Sequence, residues 1–511
     1  MYAKTYGMVI VGIEGILVQV EVDIARGLPA FEIVGLPTAA VREAKERVRA
    51  AIRNAGYEFP MQRIVVNLAP ADIRKDGSGL DLAIAMGIIL ASTSWSSEGT
   101  SKRVLMEKTV FVGELSLEGK IKAVRGGLAM ALKARDLNMM QMATATELGE
   151  EMLCGFGKQV LVSSSLQDLV SMLMSQKEPR FAKQRLIKGA TDDVSEDFSS
   201  VQGQTMAKKA LEIAAAGGHH VLLTGSPGAG KTMLARCMPS ILPPLSEQEQ
   251  LEISQIYSVA GLLPRSGLIT QRPFRNPHHT VTLGGMTGGG SIPKPGELTL
   301  SHGGVLFLDE APEFSRSVLE VLRQPLEEGL IHLNRVRGSY TYPSRFILLM
   351  AMNPCPCGWH EGGEGHICTC TKWQIENYTK RLSGPLMDRL DMTVQVTRPS
   401  YEELVAEHKG ETSQCIRQRV MEARARQEFR FKQWGYSKCQ LNSELSHKQL
   451  VESCQLTNNG ARLLEQVFRE LHISVRSYDR ILRVGRTISD LKGKDEVDSI
   501  ELAEALTYRT N

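Results

Sequence analysis

Residues 225–232 read Gly-Ser-Pro-Gly-Ala-Gly-Lys-Thr, a glycine followed at fixed spacing by Gly-Lys-Thr. This pattern suits a bound nucleoside triphosphate. Glycines let successive backbone N–H groups converge on phosphate oxygens, and the N-terminus of a following helix adds a favourable field. On this reading Gly225, Ser226, Pro227, Gly228, Ala229 and Gly230 form the cradle, Lys231 reaches the β- and γ-phosphates, and Thr232 holds Mg²⁺. Asp309 and Glu310 directly follow the apolar run Gly304–Leu308. Ligands of open α/β sheets sit at the carboxyl ends of strands. Asp309 is therefore placed to complete the Mg²⁺ shell, and Glu310 to polarise an attacking water. Together these residues predict ATP hydrolysis, with ATP and Mg²⁺ as cofactors, but not the work it drives.

A third cluster is Cys355-Pro-Cys357 with Cys368-Thr-Cys370. Four thiolates in so short a span can bind Zn²⁺ tetrahedrally and staple a loop. Reduced, unligated thiols are the alternative. His360 and His366 lie inside the loop and are read as loop residues, since four cysteines already fill the shell.

The elements that must position these groups are visible in the pattern. His220–Thr224 reads as a strand and Met233–Cys237 as the start of a helix, which is the strand–loop–helix context the glycine motif needs. At 511 residues the chain exceeds one compact core, and several domains are expected. A hydrophobic share of 42% and a charged share of 23% are those of an ordinary globular protein. No apolar run approaches membrane-spanning length, Met1–Gly7 lacks the layout of a secretory leader, and a cytosolic chain is predicted. Nine cysteines, an odd number, argue against a disulfide framework. A net charge of +3 is nearly balanced, so any nucleic-acid footprint must be local, and 5% aromatic content argues against extensive base-stacking surfaces.

The first block, 1–175, is a mixed α+β domain. Ile16–Asp23 alternates as a half-buried strand, Thr38–Asn54 repeats apolar residues as an amphipathic helix, and Ile64–Leu68 reads as a strand. Leu80–Leu90 reads as a buried helix, and Val110–Leu115 as a strand entering a hairpin around Glu118-Gly119. Residues 176–200 are charged and aperiodic, a linker. A nucleotide domain follows over 201–398, with the cysteine insertion at 355–370, and then a charged helical domain over 399–511. Gly460–Leu471 and Val475–Leu491 are its strongest helices.

These segments carry a family resemblance. Val201–Gln204, the glycine loop, Asn276–Thr280, Gly303–Glu310, Asn353–Gly358 and Ser383–Asp391 resemble the magnesium-chelatase-like branch of the AAA+ ATPases. Val34–Pro37, Val41–Glu43, Asn67–Asp72, Lys75–Gly79 and Val112–Leu115 resemble the N-terminal domain of the YifB/ComM proteins. The resemblance implies a Lon-protease-domain-like α+β fold, a central AAA+ P-loop α/β domain and a C-terminal α-helical lid. It implies that Asn353 orients the hydrolytic water, that Arg389 is an arginine finger, and that Arg476 is a second sensor. A finger supplied by a neighbour implies a homo-oligomer, a hexameric ring. Within this family the expected activity is DNA branch migration in natural transformation, with DNA as partner. For Arg389 an ion pair with Asp388 or Asp391 is the alternative, and for Arg476 a surface arginine. On the helix of Arg476, Tyr478, Ile481, Leu482 and Ile488 have core spacing, with Arg480, Arg483 and Arg486 off that face.

Three segments are candidates for gripping the nucleic acid: the glycine loop Leu283–Gly290, the hairpin His332–Tyr342 with Arg335 and Arg337, and a basic stretch. That stretch interleaves Arg417, Arg419, Arg424, Arg426, Arg430 and Lys432 with Phe429, Phe431 and Trp434. A solvated helix with packed aromatics is the alternative. Proteolysis is expected to be absent. Ser78 lies near the serine loop of the Lon fold, but the residue after Gly126-Gly-Leu128 is Ala129 where a lysine base belongs, and Lys133 is one turn further on. A chelatase motor or a regulatory scaffold ATPase remains the rival reading. Chelatase motors generally lack this N-terminal block, whose presence favours the YifB/ComM family.

Overall fold

Alternating apolar residues in Tyr2–Val11 (β1) and Glu14–Ala25 (β2) pair the two strands as an antiparallel hairpin that buries Val18, Val20, Val22 and Ile24 on one face. The sheet grows by Ala30–Val34 (β3) and, after helix α1 (Ala39–Asn54), by Arg63–Ala69 (β4). Helix α2 (Asp81–Ser92) is apolar all round and buried from Asp81 to Ala91, as a helix must be when neighbours enclose it. Strands Thr109–Val112 (β5), Gln141–Ala145 (β6) and Val160–Ser163 (β7) complete a seven-stranded sheet of order β3-β4-β2-β1-β5-β6-β7. Helix α3 (Gly127–Asp136) lies between β5 and β6 in the chain. The buried carboxylate of Asp81 takes two hydrogen bonds from Arg47 at 2.9 and 3.2 Å, which ties α1 to α2. This computed structural model describes residues 1–73, 75, 77–93, 100–174, 176–183, 196–264, 267–290, 294–335, 338–360, 367–399, 410–435, 441–470 and 472–509.

The chain divides into two compact units, Met1–Ala190 with Glu247–Ile269, and Thr191–Ser246 with Thr270–Asn511. The second unit opens with helix α4 (Thr205–Gly217), strand β8 (Val221–Thr224) and helix α5 (Lys231–Ile241). The chain then supplies helix α6 (Glu247–Ala260) to the first unit, although it lies within the 201–398 span expected to form the nucleotide domain. There Gln255 donates to the Ile13 carbonyl at 2.7 Å and Ser258 donates to Glu151. Strands β9 (Phe274–Arg275) and β10 (Val305–Leu308) follow, then helix α7 (Arg323–Glu328) and the hairpin β11 (Leu330–Arg335) with β12 (Gly338–Pro343). Strand β13 (Ile347–Met352), the short helix α8 (Gly384–Met387) and strand β14 (Met392–Gln395) finish the α/β layer. The five-stranded sheet is parallel throughout, of order β9-β10-β13-β8-β14. β8 and β13, central and buried on both faces, read as near-continuous apolar runs, as parallel strands do.

The expected linker, 176–200, is held at both ends. Phe181 bridges to Leu161 in the first unit, and Phe198 is buried in the second, with its N–H on Ser413 Oγ at 2.9 Å. An aromatic at the edge of a polar run is recruited by the nearest core, so composition overstated the linker. Its middle, 184–195, lies outside the described residues. The glycine loop also differs from expectation. Leu283–Thr287 is a short helix, capped by Thr282, whose hydroxyl accepts from Gly285 N–H, and Gly288–Gly289 pairs with Lys294–Pro295.

The C-terminal helices are α9 (Ser413–Gln433), α10 (Asn458–Glu470), α11 (Val475–Leu491) and α12 (Ser499–Thr507). The basic stretch on α9 is divided: Arg417, Arg424 and Arg430 are half-buried, whereas Arg426 and Lys432 stay exposed. Arg417 donates to the Ser240 carbonyl at 2.7 Å, Arg424 to the Ala215 carbonyl at 2.6 and 3.0 Å, and Gln427 to the Ala216 carbonyl at 3.1 Å. Those carbonyls belong to the last turns of α5 and α4, where the helix has no partner for them and where positive charge is favoured. Arg419 pairs with Glu212 at 2.5 Å and with Glu411. Phe431 is buried edge-on to Trp434 at 5.5 Å, while Phe429 stays exposed.

Arg486 is likewise not a surface residue. It is 1% exposed, and its guanidinium meets Asp490 at 3.0 Å and the carbonyls of Lys494 and Asp495. Asp490 also accepts from Arg430 and, at 2.8 Å, from Asn442. Helical spacing misses such a residue because a guanidinium can enter a core when its terminal nitrogens find a carboxylate and carbonyls there, as both do here. Replacing Asp490 by Ala would take away the carboxylate shared by the buried Arg486 and the half-buried Arg430. We expect a loss of about 3–5 kcal/mol, read as a lowered denaturation midpoint of the second unit.

Candidate nucleotide site

The parallel sheet brings three strand ends together. β8 runs into the glycine loop, β10 into Asp309-Glu310, and β13 into Asn353. Gly225 turns so tightly that an added Cβ would lie 2.2 Å from the Val396 carbonyl oxygen, and Gly228 and Gly230 adopt positive φ of 76° and 93°. Only glycine meets both demands without strain. Gly230 caps α5, whose first residues are Lys231 and Thr232.

Lys231 is buried. Its ammonium donates to the Gly225 carbonyl at 2.6 Å, the Ser226 carbonyl at 3.0 Å and Asn353 Oδ1 at 3.0 Å. Burial lowers its pKa, against the pull of Asp309 and Glu310. Thr232 donates its hydroxyl to Asp309 Oδ2 at 2.8 Å. The two oxygens expected to ligate Mg²⁺ are thus neighbours, and the donor set, a hydroxyl and a carboxylate, suits a hard cation. Glu310 is exposed with a left-handed φ of 51°, and its N–H bonds to Asp309 Oδ1 at 3.0 Å. A non-glycine residue held there stores strain, which functional sites concentrate.

Arg389 and Arg476 stand apart from this group. Arg389 donates to the Pro385 carbonyl and pairs with Glu327 of α7, not with Asp388 or Asp391. Asp391 instead accepts from the N–H of His220 at 3.2 Å and contacts His219 Nδ1 at 3.2 Å. Burial opposes its charge, but His219 holds its pKa down at about 2. Asp388 faces Arg480 at 3.5 Å. Arg476 is exposed in the first turn of α11, and among the described residues no hydrogen bond joins it to the glycine loop.

Three residues that sequence reasoning missed support the site. Gln204 donates to the Ala229 carbonyl at 3.2 Å and to the Thr397 carbonyl. Arg398 donates to the Pro227 carbonyl at 2.9 Å. Arg480 donates to the Leu390 carbonyl at 2.8 Å and so fixes the segment that carries Arg389. Gln204 lay in a motif already singled out, and its φ of 58° marks it structurally. No local pattern announces the other two.

The four cysteine sulfurs converge within 4.8 Å of one another. Cys355 lies 3.3 Å from Cys357 and 3.8 Å from Cys368, and Cys357 lies 3.6 Å from Cys368. A tetrahedral zinc with bonds of about 2.3 Å sets its sulfurs about 3.8 Å apart, so the cluster fits that ion. His366 lies outside the described residues.

In the first unit, Ala129 is buried on α3 and offers no base, Ser78 donates to Glu114, and the ammonium of Lys75 donates to the Pro70 carbonyl. Among the described residues no helix is long and apolar enough to cross a membrane.

This geometry generates two expectations. Lys231→Ala removes the cation that links the loop to Asn353 and should abolish detectable binding of a fluorescent ATP analogue. Glu310→Gln should keep binding but lower the hydrolysis rate by about 10²–10⁴-fold, as loss of a general base does, leaving ATP uncleaved in rapid-quench assays.

Comparison with known proteins agrees with this layout. The family model described as magnesium chelatase, subunit ChlI, matches residues 197–404, and its C-terminal counterpart matches 410–509. A model described as subunit ChlI of Mg-chelatase matches 20–147. The N-terminal block therefore does not by itself separate this chain from a chelatase. Full-length similarity is the better discriminator. The protein named "Uncharacterized protein YifB" of Salmonella typhimurium is 40% identical over 502 residues, 98% of this chain and 95% of that one. "Competence protein ComM" of Haemophilus influenzae is 38% identical over 511 residues, 99% and 97% of the two chains. "Lon protease 2" of Bacillus subtilis is 30% identical over 147 residues, 27% of this chain and 26% of that one. The first unit is thus a ChlI/Lon-like α+β domain, followed by a ChlI-type AAA ATPase domain and a helical domain. With this coverage end to end, the chain belongs to the YifB/ComM family of magnesium-chelatase-like AAA proteins.

Proposed function

We propose that the protein is a Mg²⁺-dependent ring ATPase that moves DNA strands, with branch migration the favoured activity. The observation that carries the ATPase part is the meeting of Lys231, Thr232, Asp309, Glu310 and Asn353 at the carboxyl edge of one parallel sheet. The DNA part rests on full-length similarity to a competence protein.

Bound Mg²⁺ would supply charge neutralisation at the phosphate oxygens. The chain's own residues do the rest. The glycine loop and Lys231 bind and orient the phosphates. Glu310 accepts a proton from the attacking water, and Asn353, fixed by Lys231, orients that water. Arg389 is the finger for a neighbouring protomer, and Arg476 is the second sensor. In the single chain Arg389 pairs with Glu327, so assembly exchanges a carboxylate for a phosphate, both of which a guanidinium binds well. Arg335 is the candidate contact to DNA phosphates. It lies on the hairpin beside the glycine segment, where a Cβ on Gly289 would sit 3.1 Å from its guanidinium. Arg337 lies outside the described residues.

The test is ATPase activity with and without forked or four-way DNA, scored beside strand displacement. Stimulation with displacement is expected. Neither effect would move the reading to a chelatase-type motor or a scaffold ATPase. Arg389→Ala should lower hydrolysis by about 10³–10⁵-fold while sparing ATP binding. Mixing Arg389→Ala with Glu310→Gln protomers should restore part of the activity, because each supplies what the other lacks. No recovery on mixing would refute a finger acting between protomers.

A further inference from the structure

The chain on either side of the cysteine cluster reaches the nucleotide site. Cys355 is fully buried and follows Asn353 by two residues at the end of β13. A tight turn, closed by Gly358 N–H on the Cys355 carbonyl at 2.9 Å, carries the chain back against the phosphate loop. Gly358 packs so closely on Pro227 that an added Cβ would lie 2.5 Å from its ring carbons. Next, Trp359 stacks under the Arg398 guanidinium at 4.7 Å, and that guanidinium donates to the Pro227 carbonyl. The far side of the insertion also returns to the sensor. Cys368 and Cys370 lead into the helix Lys372–Thr379, started by a Thr371 capping box, and Tyr378 of that helix meets the backbone of Asn353.

Asn353 thus runs directly into the flank 355–359, which packs on Pro227, and is met by Tyr378 of the flank 368–379, and the sulfur cluster joins those flanks to each other. A cluster that served only to close a surface loop would not need flanks that reach Pro227 through Gly358 and Asn353 through Tyr378.

We propose that Cys355, Cys357, Cys368 and Cys370 bind a thiophilic divalent ion, Zn²⁺, and that this ion braces the nucleotide site. It fixes the sensor Asn353 and the Pro227 wall of the phosphate loop, so ATP affinity and turnover depend on its occupancy although it touches neither nucleotide nor attacking water. The ion's route to the site runs through Gly358, Trp359 and Arg398 on one side and Tyr378 on the other. Trp359 and Arg398 are positioning residues in this scheme. The inference rests on the reading of residues 225–232 as an ATP site.

The experiment uses the full chain. Metal content is measured by mass spectrometry before and after removal with a thiol-reactive mercurial and chelator, followed by reduction. Binding of a fluorescent ATP analogue, steady-state hydrolysis and thermal melting are then compared in excess Mg²⁺. One zinc per chain is expected. Its loss should weaken ATP binding or slow turnover by about tenfold or more, since small displacements of positioning groups have effects of that size. Added Zn²⁺ should restore both, and further Mg²⁺ should not. Cys368→Ser with Cys370→Ser should reproduce the stripped protein. Trp359→Ala should retain zinc and a normal melt yet bind ATP more weakly, which separates the brace from mere folding of the insertion. Unchanged Kd, kcat and KM on zinc removal, or a fresh protein without zinc, would overturn the proposal. The loaded protein is assayed first. If it binds no ATP, the nucleotide reading fails and the brace with it, whereas normal ATP binding that ignores zinc sinks the brace alone.

Discussion

The nucleotide site depends on one buried cation. Lys231 leaves α5, is held by two carbonyls of its own loop, and reaches across to Asn353 at the end of another strand. An ammonium out of water must find acceptors, and here the acceptors are the parts that a triphosphate would need in register. The parallel sheet makes this possible. Because β8, β10 and β13 all run the same way, their carboxyl ends deliver the loop, the acidic pair and the amide to one edge. Reversing any strand would send its residues to the opposite edge.

The same economy governs the positive charge elsewhere in the second unit. Arginines on α9 close the open carbonyl ends of α4 and α5, the helices that flank β8 in the chain. Arg480 on α11 fixes the segment bearing Arg389, and Arg486 with Arg430 surrounds Asp490. Among the described residues these guanidiniums serve to tie the helical domain to its ATPase partner or to close its own core. Its orientation is set by directional bonds to backbone carbonyls, which tolerate no slippage, as well as by the apolar stripe of α11.

The first unit contrasts with this. Its chemistry-bearing positions are quiet, with Ser78 on Glu114, Lys75 on a carbonyl and Ala129 in the core. Helix α6, drawn from within the ATPase sequence, is packed into it through Gln255 and Ser258. The two units are therefore interwoven in the chain, and an element of one is covalently bracketed by the other.

Local chemistry was legible in the sequence. The glycine loop, Asp309-Glu310, the cysteine pairs, the buried helix α2 and the helix Val475–Leu491 are each specified by neighbours in the chain, through φ requirements, periodicity or ligand spacing. What the tertiary structure alone decided is which distant groups meet. Arg389 found Glu327, 62 residues away, rather than its adjacent aspartates. Arg417 and Arg424 of the basic stretch on α9 turned to helix-end carbonyls, the expected linker lost its end to a core through Phe198, and α6 changed units. Charge and composition say that a side chain needs a partner, but long-range partners are selected by where packed elements place an acceptor. That information resides in the assembled fold and not in any window of sequence.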